Sequence, residues 1–504
     1  MIYPLQGFSG AYVKHIPLSL LYASVEIVKS GAEVVIFDQR LYPNNWQEEL
    51  NKLIDDTVLM AGISVMSGAP INNAQVVGQF IKDKDPDIKI VWGGPHVTFY
   101  PETILTDEPN VDYVISGYAS ETFDLLVQSI RQGATPDLVS GAGWRDADGT
   151  VHHNGGGDKS FEYIDYKDIP YHLIDDYSVY GQLDQDKRIF SMYAAVGCPY
   201  QCSFCSSPAQ YRGIKGRKWV SLDVNDIIDH IQHVVETYDA NYIYFIDDDS
   251  FPKLSHVEAI IDEFRARGLH RKVKLGFRGA RINEIIRMSD EFLTKLADAG
   301  TDILHIGAES GSDRILKLIR KDCVAEDIIA CNQKLARHPE ISVGYNFIMG
   351  LPTETLEDLK KTRDLMWRLQ EDHPNCIIFP PNKFRPLPNT ELYDVAEKEW
   401  GYKMPQSLDD WAKIEAEGDI SDQWYDAEVE RFCNLMLLCS YFIDNKIARV
   451  TEGKSLFTRF ARITNRLYRP VARLRFKYGW SRFLIEYYIY SYLTGALARR
   501  QTAD

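Results

Sequence analysis

Across 504 residues no run approaches about twenty consecutive apolar residues, so no membrane-spanning helix is expected. The start, Met1-Ile-Tyr-Pro4, lacks the basic and apolar regions of a secretory leader. A cytoplasmic location with reduced cysteines is the expectation. Positive charge is scarce: 56 Lys/Arg stand against 72 Asp/Glu, a net −16 that argues against general nucleic-acid binding. No G-x-G-x-x-G occurs, which counts against a dinucleotide. Cysteines number eight, and five of them, Cys323, Cys331, Cys376, Cys433 and Cys439, stand singly with no ligand spacing. Apolar residues make up an ordinary 45%, and the length suits two or three domains.

The other three cysteines are together. Cys198, Cys202 and Cys205 form C-x3-C-x2-C in the segment Ala195-Val-Gly-Cys-Pro-Tyr-Gln-Cys-Ser-Phe-Cys-Ser206, on a Gly/Pro-containing loop after an apolar run. Thiolates this close can converge on one metal centre. Iron–sulfur clusters normally take four cysteines, and here the fourth is missing locally, which would leave one iron open. Disulfides do not suit a chain with no sign of secretion. A structural zinc usually takes four protein ligands, and no second Cys/His pair follows at finger or ribbon spacing. The spacing resembles the signature of the radical S-adenosylmethionine (SAM) superfamily, whose [4Fe–4S] cluster chelates SAM at the open iron.

The expected fold class is α/β in three parts. Residues 1–135 alternate short β-branched runs (Val34–Phe37, Leu59–Val65, Ile88–Trp92, Tyr113–Ser116) with helical candidates at about 17–30, 71–83 and 120–132. That order implies a doubly wound, Rossmann-like parallel sheet, which binds ligands at the carboxyl ends of its strands. Small residues stand at those ends: Ser64, Gly93-Gly94-Pro95-His96 and Ser116-Gly117. Residues 136–187 read as a linker, with a turn at Asp146-Ala-Asp-Gly149 and a flexible His153-Asn-Gly-Gly-Gly-Asp158. From 188 to 395 six βα units suggest a partial (β/α)6 barrel with its site at the C-terminal strand ends, and the cysteine loop follows the first strand. Residues 396–504 read as a helical C-terminal region.

With Pro17-Leu-Ser-Leu-Leu-Tyr22, Ile63-Ser-Val65, Gly93-Gly-Pro-His-Val-Thr98, Pro101, Val114-Ile-Ser-Gly117 and Glu121 taken together, the first part resembles the cobalamin (B12)-binding domain fused to many radical SAM enzymes. That branch includes hopanoid methylases, C-methyltransferases and the anaerobic Mg-protoporphyrin ester cyclase. The resemblance implies cobalamin near Ser64, Gly93, Gly94 and Gly117. The D-x-H-x-x-G motif that supplies a cobalt ligand in other cobalamin proteins is absent, and a Rossmann-like domain without cofactor is the alternative.

In the second part the resemblance implies that Cys198, Cys202 and Cys205 hold the [4Fe–4S] cluster. SAM is expected at Asp247-Asp248-Asp249, where which Asp acts is open, since Gly-Gly-Glu is more usual there. Arg278 and Arg281 suit the SAM carboxylate or a substrate acid. Gly307-Ala-Glu-Ser-Gly311 resembles G-x-E-S-G, placing Glu309 and Ser310 at SAM, and Gly350 with Pro352 resembles the element against which adenine packs. For any one of these, a solvated strand end or helix cap is the plainer reading; Thr353 to Thr355 could simply cap the next helix.

The basic residues concentrate at the end. Residues 446–500 hold thirteen Lys/Arg against Glu452 and Glu486, a net +11 that leaves −27 for the rest. Phe460, Ile463, Leu467, Val471 and Leu474 fall on one helical face beside Arg459, Arg462, Arg466, Arg469 and Arg473, with Pro470 expected to kink or divide the helix. Such a segment suits peripheral contact with the anionic inner membrane face and a small-molecule or lipid-like substrate, or else a cap packed on the acidic body.

The function implied is a cobalamin-dependent radical SAM enzyme that cleaves SAM to a 5′-deoxyadenosyl radical, with an electron donor such as a flavodoxin or ferredoxin. Methyl transfer from methylcobalamin to an unactivated carbon is the leading expectation. Oxidation or cyclisation without methyl transfer is the alternative, and a non-enzymatic iron–sulfur or corrinoid-binding protein the third.

Overall fold

A computed structural model describes residues 1–6, 15–156, 164–180, 187–212, 216–414, 424, 426–446 and 456–492. Two parallel sheets dominate. The first has β1 (Ile2–Tyr3), β2 (Phe37–Asp38), β3 (Met60–Ser64), β4 (Lys89–Gly93) and β5 (Tyr113–Ile115), then β6 (Ala142–Arg145) and β7 (Val151–His153). Its order is β2-β1-β3-β4-β5-β6-β7, parallel through β5. The central strands are buried on both faces (Ala61, Ile63, Ile90, Val91, Trp92 and Val114), because helices such as Ala69–Lys84 and Ser120–Arg131 cover them. The strand order reverses between β1 and β3, the kind of switch point at whose carboxyl ends doubly wound sheets bind ligands.

The segment expected to be linker, 136–187, begins as part of this sheet. β6 pairs antiparallel with β5 and β7 with β6. Gly143, Trp144 and His152-His153 do not alternate clearly, so the hairpin has no strand signature. Three short 3₁₀ turns at 166–168, 171–173 and 177–179 follow.

The second sheet holds β8 (Ile189–Met192), β11 (Tyr242–Phe245), β12 (Lys274–Arg281), β13 (Thr301–Glu309), β14 (Ser342–Met349) and β15 (Ile377–Ile378), all parallel in that spatial order. A further strand, β16 (Asn382–Lys383), extends the pairing of β14. Ile243, Phe245, Leu275, Phe277, Leu304 and Ile306 point into the core shared with the surrounding helices. The residues between them, Tyr244, Gly276, Arg278 and His305, therefore face the barrel lumen. A two-stranded antiparallel ribbon of β9 (Ala195–Gly197) and β10 (Trp219–Ser221) frames the cysteine loop.

The helix Leu456–Tyr478 runs on through Pro470, so of the expected kink or division the latter does not occur. It packs on the helices Leu356–Asp372 and Ala427–Ser440. Ala472 and Phe476 enter the core, Tyr468 meets Phe442 edge-on at 4.9 Å, and Arg473 lies 4.7 Å over Trp367. The expected apolar face is turned outward: Ile463 is 59%, Leu467 72% and Leu474 57% exposed. No helix among the described residues is long and apolar enough to cross a membrane.

Candidate active site

The cysteine loop is fixed by backbone bonds and by its own Ser203 hydroxyl. Ser203 N–H donates to Ile319 O at 3.2 Å, and Ser203 O accepts from Leu392 N–H at 2.9 Å. The Ser203 hydroxyl donates to Leu318 O at 3.1 Å. Cys198, Cys202 and Cys205 all line one cavity of about 170 Å³, with Arg212, Lys218 and Arg320 also on its wall. Burial pushes the Cys198 thiol up to about 12 and raises Cys205. Such thiols ionise only beside a positive centre, as iron supplies. Among the described residues no three His, Cys, Asp or Glu gather tightly enough for a single ion. Three thiols lining one cavity are the donor set of a cluster that leaves one iron open.

Arg281 stands over this loop. Its Nη1 donates to Cys202 Sγ at 3.0 Å and its Nη2 to Lys321 O at 2.7 Å. The guanidinium stacks 3.8 Å above the Tyr200 ring, and the Tyr200 hydroxyl donates to Glu284 at 2.8 Å. Its two Nη groups are thus engaged at Cys202 and Lys321, while its buried Nε has no partner among the described residues.

The three aspartates after β11 diverge. Asp247 is buried and accepts from the N–H groups of Ala194 and Ala195 at 2.8 and 3.2 Å and from the Ser250 hydroxyl at 3.0 Å. It ties the end of β8 to the end of β11, and burial lifts its carboxyl to about 7. Asp249, also buried, is held well above the usual carboxylate range by burial and by Glu284, to which it hydrogen-bonds. Asp248 alone is exposed, and accepts from the Tyr211 hydroxyl at 2.5 Å.

Glu309 ends β13 with φ +64 and pairs with Lys321 at 2.8 Å, both side chains nearly sealed from water. A Cβ on Gly307 would land on Glu309 Oε1 and 2.6 Å from Lys321 Nζ, so a side chain there would displace the ends of this pair. Lys321 carries no local motif and was not foreseen; it sits between Arg320 and Asp322, both with positive φ. Ser310 is fully buried and bonds Thr362 Oγ1 at 3.1 Å, facing a helix rather than the lumen. Gly350 (φ +77) begins a turn in which Glu354 accepts from the N–H groups of Gly350 and Leu351 at 2.5 and 3.1 Å. Pro352 lies within that turn, and Thr355 caps the following helix in a reciprocal box with Asp358.

On the first sheet, Ser64 Oγ lies 3.4 Å from Ser19 Oγ at the switch point. Gly94 has φ +110, and a Cβ there would fall 2.8 Å from Val65 O. Gly117 (φ +80) has open space where a Cβ would be, and its N–H donates to Thr98 Oγ1 at 3.0 Å. This smooth backbone rim fits a bulky planar ligand. His96 is not part of the rim: it bonds Ser67 Oγ at 2.9 Å, packs against Tyr100 and Trp411, and burial lowers it to about 4.

The two strand-end surfaces meet. Tyr22 meets Tyr193 edge-on at 6.0 Å, and His15 stacks on Tyr244 at 5.7 Å.

Comparison with known proteins agrees with this layout. Residues 192–366 match the radical SAM superfamily and residues 10–127 the B12 binding domain. An uncharacterized methyltransferase of Pyrococcus horikoshii is 26% identical over 75% of this chain and 78% of its own length. The anaerobic magnesium-protoporphyrin IX monomethyl ester cyclase of Cereibacter sphaeroides is 27% identical over 69% of this chain, which spans 55% of that enzyme. The fold is similar to that of the radical SAM methyltransferase TsrM from Kitasatospora setae, solved with cobalamin and a [4Fe–4S] cluster (TM-score 0.64, 16% identity, 94% of this chain and 98% of that one).

Proposed function

We propose that this chain, a cobalamin-dependent radical SAM enzyme by its two matched domains, transfers a methyl group to an unactivated carbon. The observation that carries the reading is the meeting of the first domain with the barrel, where Tyr22 lies edge-on to Tyr193 at 6.0 Å and His15 stacks on Tyr244 at 5.7 Å. Cys198, Cys202 and Cys205 would hold the cluster, Ser64, Gly93, Gly94 and Gly117 would line the corrinoid, and Asp248, Glu309, Gly350 and Pro352 would face SAM. When bound, these groups supply the electron, the radical precursor and the methyl carrier. The protein's own residues bind, orient and exclude water: Arg281 and Lys321 place positive charge beside Cys202, and Asp247 fixes the loop entrance. Methyltransferase relatives support transfer; the cyclase relatives support the alternative of oxidation or cyclisation without transfer. Incubating the reconstituted enzyme anaerobically with methyl-labelled SAM and candidate substrates separates the two. Label in a product carbon supports methylation, and 5′-deoxyadenosine formed without labelled product refutes it.

The exposed cations Arg212 and Arg320 beside the cysteine cavity suit an acidic electron donor of the flavodoxin or ferredoxin kind. The outward apolar stripe of Leu456–Tyr478, flanked by exposed Arg462, Arg466 and Lys477, suits peripheral contact with an anionic membrane face and access to a lipid-like substrate.

A further inference from the structure

Arg278 is a charged group at the barrel's strand ends for which the described residues supply no hydrogen-bond or ion-pair partner. It lies on β12 between Phe277 and Gly279 and is exposed. Among the described residues no Asp or Glu is paired with this lumen-facing guanidinium, although the chain carries 72 acidic side chains.

Its neighbours form a defined surface. Strand register places Ser191, Tyr244 and Gly276 in one lumen row and His305 beside Gly344 in the next. Tyr244 meets His305 edge-on at 5.9 Å, and His305 stacks on Phe379 at 5.2 Å. His15, contributed by the first domain, stacks on Tyr244 and bonds Ser191 Oγ through Nδ1 at 2.9 Å. The glycines are what make room for the rings: a Cβ on Gly276 would strike Tyr242 Oη at 2.5 Å and Tyr244 at 2.9 Å, and one on Gly344 would strike the Phe379 ring. His305 makes no hydrogen bond among the described residues. Burial, helped by Arg278, lowers His15 and His305 to about 4, with Arg40 also acting on His15, so both rings are neutral near pH 7. The lumen thus offers one full positive charge, two uncharged imidazoles and flat aromatic walls.

We infer that Arg278 receives an anionic group of the substrate, a carboxylate or a phosphate, while Tyr244, His305 and Phe379 hold an adjoining flat or apolar portion. This assigns Arg278 to the substrate and not to SAM, and it rests on the radical SAM reading of the barrel. A guanidinium fork pairs with two oxygens of either anion, and loss of such a contact weakens binding by about tenfold or more.

The test uses the reconstituted full-length protein with benzoate, phenyl phosphate and neutral benzamide as probes. Phenylglyoxal labelling of Arg278 is read by peptide mass spectrometry, and probe and SAM affinities by calorimetry. Benzoate or phenyl phosphate should protect Arg278 and benzamide should not; the better protector tells carboxylate from phosphate. Arg278→Gln should weaken the aryl anion about tenfold or more and leave SAM affinity unchanged, with Arg278→Lys in between. Equal protection by benzamide, protection by no anion, or a matching loss of SAM affinity in Arg278→Gln overturns the assignment. The labelled-methyl experiment reads methylation separately, so failure of either idea is visible without the other.

Discussion

The Arg281 guanidinium donates a hydrogen bond to Cys202 Sγ at 3.0 Å while stacking on Tyr200 at 3.8 Å. A fixed cation against one thiolate of an iron–sulfur cluster favours the more negative, reduced state. Arg281→Gln should therefore lower the midpoint potential by tens of millivolts, read by electron paramagnetic resonance during redox titration. Iron content should stay near that of the parent protein, since the three cysteines remain. An unchanged potential in a fully loaded Arg281→Gln protein would refute the electrostatic role.

The cysteine loop and the strand-end glycines were legible in the sequence because each is a local pattern. Roles set by distant neighbours were not. Asp247, Asp248 and Asp249 look equivalent in sequence, yet Asp247 is claimed by Ala194 and Ala195, Asp249 faces Glu284, and Asp248 alone meets solvent. Lys321 acquires its place only when β13 brings Glu309 beside it. Ser310 bonds Thr362 on a helix that starts 46 residues after it, at Leu356, a contact no local pattern announces. The Leu456–Tyr478 helix was legible as amphipathic, but not which face would meet the body, because Tyr468, Ala472 and Phe476 form a second, shorter face.

Glu354 connects the Gly350 turn to pH. Burial lifts its carboxyl from 4.5 to about 8. The folded protein keeps this proton at pH values where the unfolded chain has released it. The stability it allows is full below about pH 4.5, declines as pH rises, and is lost by about pH 8. Asp247, lifted to about 7, adds a decline in the same direction that ends lower. Glu354→Gln preserves an oxygen for the N–H groups of Gly350 and Leu351 but cannot ionise. Thermal unfolding between about pH 6 and pH 8.5 should show a smaller loss of Tm in the variant than in the parent. Equal losses would show that Glu354 does not hold its proton.

Gly94 separates the two halves of the site. With φ +110 and Val65 O 2.8 Å from any Cβ, Gly94→Ala strains the rim by about 1–3 kcal/mol. The barrel contacts none of this turn's backbone bonds, which run to Val65 and Thr98. The variant should retain cluster iron and lose most corrinoid, measured together by iron assay and by visible absorption after reconstitution with hydroxocobalamin. Full corrinoid loading in Gly94→Ala would remove the rim from the binding site.

The outward stripe of the Leu456–Tyr478 helix yields the last expectation. Leu467 and Leu474 are 72% and 57% exposed, so changing them costs the fold little, whereas Ala472 and Phe476 hold the helix to the body. If the stripe enters a lipid interface, each leucine contributes about 2 kcal/mol, and Leu467→Glu with Leu474→Glu together should lower vesicle partitioning by about a hundredfold or more. Exposed Arg462, Arg466 and Lys477 add attraction that depends on anionic lipid and is screened by salt. Flotation should therefore carry the parent protein with vesicles of phosphatidylcholine and phosphatidylglycerol, less with phosphatidylcholine alone, and less again at high salt. A parent protein that stays behind with anionic vesicles, or a double variant that floats as well as the parent, would leave the stripe to a protein partner instead.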